Sequence, residues 1–321
     1  MAHRVRLDPQ DEYMHENTGE SNFNESMYFN FFDASHGVGG FLRIGNRPNE
    51  GHAETTVCLY RPDGSVAFNF KRPEIADNAR FDAGGTRFEV EKPFERLRIG
   101  YRGKACLLAR PLEMADPRRA FTENPFVSAE VELAIEGVGP MFGGEREGGD
   151  SSQESEFAKG HYEQHHRAHG RLVIGDEAFD FDGFGLRDHS WGPRSWQSPK
   201  YYRWLTANFG ADFGFMANEI VSRDGSEFRG GFLHRGRELE LLRGVEIDTD
   251  WLEPEHVHEA LRVRLTTAGG ETLDVTGRVL SLIPLRNRKD GRVTRIAEGM
   301  TEWTCEGRTG HGLSEYLDQV S

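Results

Sequence analysis

The sequence predicts an all-β protein, and three observations carry that expectation: period-two alternation of apolar and charged residues, turn dipeptides between the alternating segments, and a composition rich in Phe and Gly. The segment 95–102 sets Leu97, Ile99 and Tyr101 against Arg96, Arg98 and Arg102. The segment 130–136 sets Val131, Leu133 and Ile135 against glutamates, and 257–266 sets Leu261, Val263 and Leu265 against Arg262 and Arg264. One polar and one apolar face at period two is the pattern of half-buried antiparallel strands. Asp-Gly pairs at 63–64, 182–183, 224–225 and 290–291, with TAGGE at 267–271, read as turns. The chain has 22 Phe and 38 Gly, and no long amphipathic helix; 114–121 allows one short helical turn. Many short strands at regular spacing point to barrels or sandwiches.

At roughly 150 residues per domain, 321 residues favour two domains, each large enough for a core. GGEREGGDSSQESEFAKG (143–160) reads as a loop or linker near the middle, so the expected division is 1–168 and 169–321. The 53 acidic and 39 basic residues leave a net charge of −14, which repels nucleic acid and anionic lipid. Cys58, Cys106 and Cys305 stand apart without a C-x-x-C, so neither a disulfide framework nor a zinc site is indicated. The N-terminus lacks the apolar stretch of a signal peptide, and no apolar run approaches the ~20 residues of a membrane span. A soluble, reducing compartment, the cytoplasm, is the expectation, with no stable membrane insertion; oligomeric state is left open.

GFGLRDHSWGPRSW (183–196) is the densest chemistry in the chain. On a strand, Leu186, Asp188 and Ser190 share one face, and Arg187, His189 and Trp191 the other. The second face offers a cation, a titratable imidazole and a π surface, suited to an apolar ligand and one proton. The competing reading is a structural corner with Arg187 paired to a carboxylate and Trp191 packed. HYEQHHRAH (161–169) holds four histidines. On a strand His161 and His165 lie ~13 Å apart at ~3.3 Å per residue, too far for one ion with nitrogens at ~2.0–2.1 Å. No metal is expected; Tyr162 and Gln164 are the expected pocket residues there. The aromatic run 201–219 reads as barrel core or as cavity lining that includes Trp204. Phosphate loops, G-x-S-x-G and dinucleotide fingerprints are absent, so no cofactor is expected.

Three stretches resemble one family: 25–51, FDGFGLRDHSWGPRSW (181–196) and GHGLSEYL (310–317). They resemble the two-domain, lipocalin-like group of AttH-like proteins and carotenoid 1,2-hydratases (hydroxyneurosporene synthases), most closely a bacterial branch. The resemblance spans nearly the whole chain. It implies two calycin-like antiparallel β-barrels packed together, with a pocket for an apolar ligand near their interface. It aligns His189 and Trp191 with a His-x-Trp of the hydratases. A following Tyr-x-Asp falls on Met216 and Asn218, so the acid that an alkene hydration needs is missing from that position. Glu219 would face the other way, and Asp188 and Glu163 are the remaining candidate acids.

The expected function is thus a cofactor-independent hydratase or other lyase, isomerase or cyclase for a hydrophobic small molecule (terpenoid, steroid-like or polyketide). His189 would carry the proton and Asp188 or Arg187 would set its state. Trp191, Trp196, Tyr162, Gln164, Trp204, Met216 and Asn218 would bind substrate. The rival is a non-catalytic carrier of a lipophilic metabolite.

Overall fold

A computed structural model describes residues 5–146, 158–289 and 291–320. The first strands are β1 (Val5–Arg6), β2 (Phe23–Asp33), β3 (Val38–Arg47), β4 (His52–Tyr60), β5 (Val66–Lys71), β6 (Asp82–Ala83), β7 (Thr86–Lys92) and β8 (Arg96–Leu108). A seven-residue helix, α1 (Pro117–Glu123), follows, capped by the Asp116 side chain accepting from the Arg119 N–H. Next come β9 (Phe126–Gly137), β10 (Phe142–Arg146), β11 (Gly160–Ile174) and β12 (Glu177–Pro193). The last eight are β13 (Pro199–Asn208), β14 (Phe213–Ser222), β15 (Glu227–Arg235), β16 (Glu238–Leu252), β17 (Val257–Thr267), β18 (Thr272–Lys289), β19 (Arg292–Cys305) and β20 (Arg308–Gln319).

β13 to β20 form a closed antiparallel barrel. The N-terminal sheet also closes, because β9 pairs with β8 along one edge and with β11 along the other. The ring therefore runs β11, β12, β2, β3, β4, β5, β8, β9. Alternation places Leu97, Ile99, Tyr101, Val131, Leu133 and Ile135 inside this ring and Leu261, Val263 and Leu265 inside the second barrel. The arginines that alternate with them, such as Arg98 and Arg262, are exposed.

Three readings of the sequence shift. Residue 168 lies within β11, and the chain leaves the first ring only between Pro193 and Pro199, because β11 and β12 are needed to close it. Asp182–Gly183 is no turn but the middle of β12. There a Cβ on Gly183 would lie 2.1 Å from the Phe32 carbonyl oxygen, so the glycine permits close approach of β2 rather than a bend. Of 143–160, the start belongs to β10 and Gly160 opens β11, while 147–157 lies outside the described residues.

The two barrels pack through an apolar cluster that includes Tyr28, Phe41, Tyr60 and Phe68 from the first and Ile283, Met300 and Leu313 from the second. Full burial of each such side chain contributes roughly 1.5–3 kcal/mol. The Tyr60 hydroxyl donates to the Glu298 carbonyl across this contact at 2.9 Å. No helix among the described residues is long and apolar enough to cross a membrane.

Candidate active site

The β11–β12 ladder has two faces with different fates. Its register sets Tyr162 opposite His189 and Gln164 opposite Arg187, while Glu163 stands opposite Asp188 and His161 opposite Ser190. Because side chains alternate, Tyr162, Gln164, Arg187, His189 and Trp191 point into the first barrel. His161, Glu163, Asp188 and Ser190 point out of it, toward the second.

The inner face is a closed polar network at one end of the barrel. Arg187 grips Glu12 with two hydrogen bonds, at 2.6 and 3.0 Å, and donates to Gln164 Oε1 at 2.9 Å. Tyr162 donates to Glu12 at 2.7 Å and lies 3.1 Å from His189 Nδ1. His189 Nε2 is 2.8 Å from Glu25 Oε1, which also meets His15 Nδ1 at 2.8 Å. Burial works against the Glu25 carboxylate, but hydrogen bonds from His15 and His189 outweigh it and hold the group down to about 2. Trp191 stacks on His15 at 3.8 Å.

His189 and Tyr162 have no exposed surface, and Arg187 has 1%. His189, Arg187, Trp191, Tyr162 and Gln164 therefore do not line the interbarrel cleft; they hold the barrel's end together with Glu12, His15 and Glu25. Met216 does not line it either, being packed with Leu186 and Phe232 between the barrels.

The outer face opens on a cleft of about 2360 Å³ between the barrels, larger than the roughly 300–1,000 Å³ usual for ligand pockets. Of the residues expected to bind or react, Asp188, Trp196, Trp204 and Asn218 line it, together with Tyr28, Phe41 and Phe68. His161, 40% exposed to the cleft, lies 2.5 Å from Asp188. Burial would lower the His161 pKa, but Asp188 more than reverses this and raises it to about 8. Burial also opposes ionisation of Asp188, whose pKa is nevertheless held down by His161. Beside them Glu163 accepts from Trp204 Nε1 at 2.8 Å, and its Oε2 is buried without a hydrogen-bond partner. Burial, aided by the Asp188 charge and opposed by His161, lifts Glu163 to about 7.

A second carboxyl group of sites lines the cleft on the C-terminal barrel. Glu298 and Glu315 stand directly opposite one another on β19 and β20, both buried. Tyr202 donates a short hydrogen bond to Glu315. Burial raises both carboxyls, and each is in contact with the other. Two carboxylates so placed cannot both ionise, so the pair retains a proton. The sequence reading missed this pair, although Glu315 sits in GHGLSEYL. Its one signal is an acid set among Leu313, Tyr316 and Leu317 in a strand buried on both faces.

Glu219 faces away from Asn218 and accepts from Tyr201 at 2.9 Å. The histidines of 161–169 do not converge: His161 meets Asp188, whereas His165 packs on His234. Two groups among the described residues place three potential metal donors within 4.8 Å of one another, His15–Glu25–His189 and His161–Glu163–Asp188. In the first group Glu25 meets both histidines within hydrogen-bond distance; in the second His161 meets Asp188, while Glu163 lies 3.8 Å from His161.

Two antiparallel β-barrels with a titratable cleft between them define an all-β, double-barrel class of protein. The chain belongs to the DUF7064 family, a domain of unknown function, whose model matches residues 8–320. No curated protein matches the sequence. Among solved structures, a protein described as an AttH from Nitrosomonas europaea matches 98% of this chain and 96% of its own, at 16% identity and a TM-score of 0.59. CghA with Sch210972 matches over 92% and 88%, at 12% identity and 0.57. Kievitone hydratase from Nectria haematococca matches over 96% and 94%, at 10% identity and 0.54. At these identities the likeness is one of fold, and at that level it meets the resemblance to the AttH-like group.

Proposed function

We propose that this protein is a cofactor-independent acid–base enzyme, a hydratase or other lyase, an isomerase or a cyclase, acting on a hydrophobic small molecule in the interbarrel cleft. One observation carries the reading: an aromatic-lined cleft holds both a carboxyl poised near neutrality, Glu163, and a carboxyl pair that retains a proton, Glu298 and Glu315. A general acid or base works best with a pKa near the operating pH. Glu163 is the group that accepts and returns a proton, the Glu298–Glu315 pair donates one, and the His161–Asp188 pair sets the field beside Glu163. Trp204 and Tyr28, in edge contact at 5.6 Å, offer apolar and π surface to the substrate. Terpenoid, steroid-like and polyketide skeletons fit a cleft of this size and lining. Fold relatives that include a hydratase by name, and CghA solved with Sch210972, support the class of reaction. Three buried, free cysteines support a cytoplasmic setting.

The test has two parts. Mass spectrometry of small molecules retained by the purified protein names the ligand, and turnover of that ligand is then measured. Glu163→Gln is expected to lower kcat by ~10²–10⁴ while leaving binding nearly unchanged. Wild-type protein that binds the ligand but leaves it unaltered would make this a carrier.

A further inference from the structure

We propose that the mouth of the cleft is a docking surface for an anionic membrane, from which the lipophilic substrate enters. The inference rests on the reading above only in taking the occupant of the cleft to be a lipophile.

The rim is contiguous. Arg72 lies over the Phe70 ring at 5.5 Å and pairs with Glu54 at 3.0 Å. Glu54 is 3.7 Å from Arg43, whose guanidinium lies 5.5 Å from the Trp196 ring. The next residue, Gln197, donates to Asn287 at 3.0 Å, which brings in the β18–β19 hairpin. Beyond Asn287 the described part of that hairpin pairs Arg288 with Val293 and Lys289 with Arg292, and the Val320 N–H donates to the Val293 carbonyl at 3.0 Å.

The charge of this rim departs from that of the molecule. Arg118, Arg223, Arg286, Arg288 and Arg292 all line the cleft and are exposed, and none makes an ion pair among the described residues. Lower on the same two strands, Arg278 pairs with Glu302 and Arg295 with Asp318. Of the described acids near the rim, Glu227 pairs with Arg229, Glu54 with Arg72 and Glu145 with Lys159, while Asp116 caps α1 and Asp224 accepts from Ser226, both keeping their charge. Among the described residues, a chain of net charge −14 thus presents arginines without ion pairs on the lining of its cleft. On the same cleft lining Phe70 is 42% exposed and Phe228 50%. Arginines with aromatic rings at one rim suit a headgroup layer: the cations meet lipid phosphates and the rings reach the acyl boundary. The acidic remainder is repelled, so the molecule is turned mouth-first.

Cosedimentation with vesicles tests this on the full chain. Wild-type protein is expected to bind phosphatidylcholine vesicles containing phosphatidylglycerol at low salt, to be released by added salt, and to ignore phosphatidylcholine alone. The triple variant Arg286→Gln, Arg288→Gln, Arg292→Gln changes only exposed side chains and should bind roughly a hundredfold more weakly, about fivefold per charge. Phe70→Ser should weaken binding as well. Equal binding by the triple variant, or none by the wild type at low salt, overturns the proposal. Release by millimolar glycerol phosphate also overturns it, by making the ligand a soluble anion. Docking is read here without turnover, so a catalytically silent cleft and a failed docking surface give separate results.

Discussion

Along the β11–β12 ladder, neighbouring residues have opposite jobs. Arg187 and His189, pointing inward, have every charged contact met by Glu12, Gln164, Tyr162 and Glu25. Asp188 and Glu163, pointing outward, share one histidine between two carboxyls at the wall of an open cleft. Arg187 and His189 have the satisfied geometry of a structural core, whereas the outer Glu163 is lifted toward neutrality, the displacement that acid–base chemistry uses. The difference teaches that density of chemical residues does not mark a site. What marks it is polar capacity left over beside a space that a ligand fills.

Breaking the inner face should give the largest effect. Arg187→Ala leaves Glu12 buried without its cation, a loss that costs about 3–5 kcal/mol in comparable buried pairs. Urea unfolding should register that drop. A change below about 1 kcal/mol, the usual range of a surface pair, would mean that the inner network does not hold the barrel. On the outer face the order of effects reverses. Glu163→Gln should leave unfolding nearly untouched while removing most turnover, so a variant that unfolds early but turns over normally would erase the contrast between the faces.

The fold was largely legible in the sequence because alternation is a local signal: Leu97, Ile99 and Tyr101 state their face within five residues. Even the division of 186–191 into two faces could be read. Which face meets the cleft could not, since that depends on the ring closing through β12 and β2 and on the second barrel packing against its outside. Glu12 and Glu25, the partners of Arg187 and His189, lie 175 and 164 residues away. Glu298 and Glu315 become a pair only when β19 meets β20. Asp182–Gly183 misled for a related reason: glycine serves a turn and a close strand contact equally, and the neighbouring strand decides between them.

A third test concerns acid stability and again separates inside from outside. His166 is fully buried in the first barrel, with neither ring nitrogen hydrogen-bonded. Burial, and then the Arg187 charge, lower it to about 3. Its folded value lies below the unfolded one of ~6.5, so the contribution of the neutral ring is complete above pH 6.5. It is lost as the pH falls toward 3, at ~1.4 kcal/mol per pH unit for one group. Unfolding free energies measured from pH 7 to 4.5 should decline, and His166→Phe should flatten the slope by about one proton. An unchanged slope would show that His166 charges in the folded state at little cost.

The smallest effect is a shift in one titration, on the outer face. Burial alone would push the His161 pKa down, and only Asp188 holds it up to about 8. Because the folded value exceeds the unfolded ~6.5, the pair stabilises the fold below pH 6.5 and loses that contribution as the pH rises through 8. His161 is too exposed for the energy to be large, so the titration itself is the better observable. In Asp188→Asn the opposing charge is gone while the burial remains, and Glu163 is left as the nearest acid, 3.8 Å from Nε2. The imidazole resonances of His161, followed by NMR across this range and assigned with His161→Gln, should titrate at lower pH in Asp188→Asn than in wild type. An unmoved His161 midpoint would mean that the cleft wall is hydrated enough to screen Asp188, and the outer face would then lack the coupled groups on which its chemistry depends.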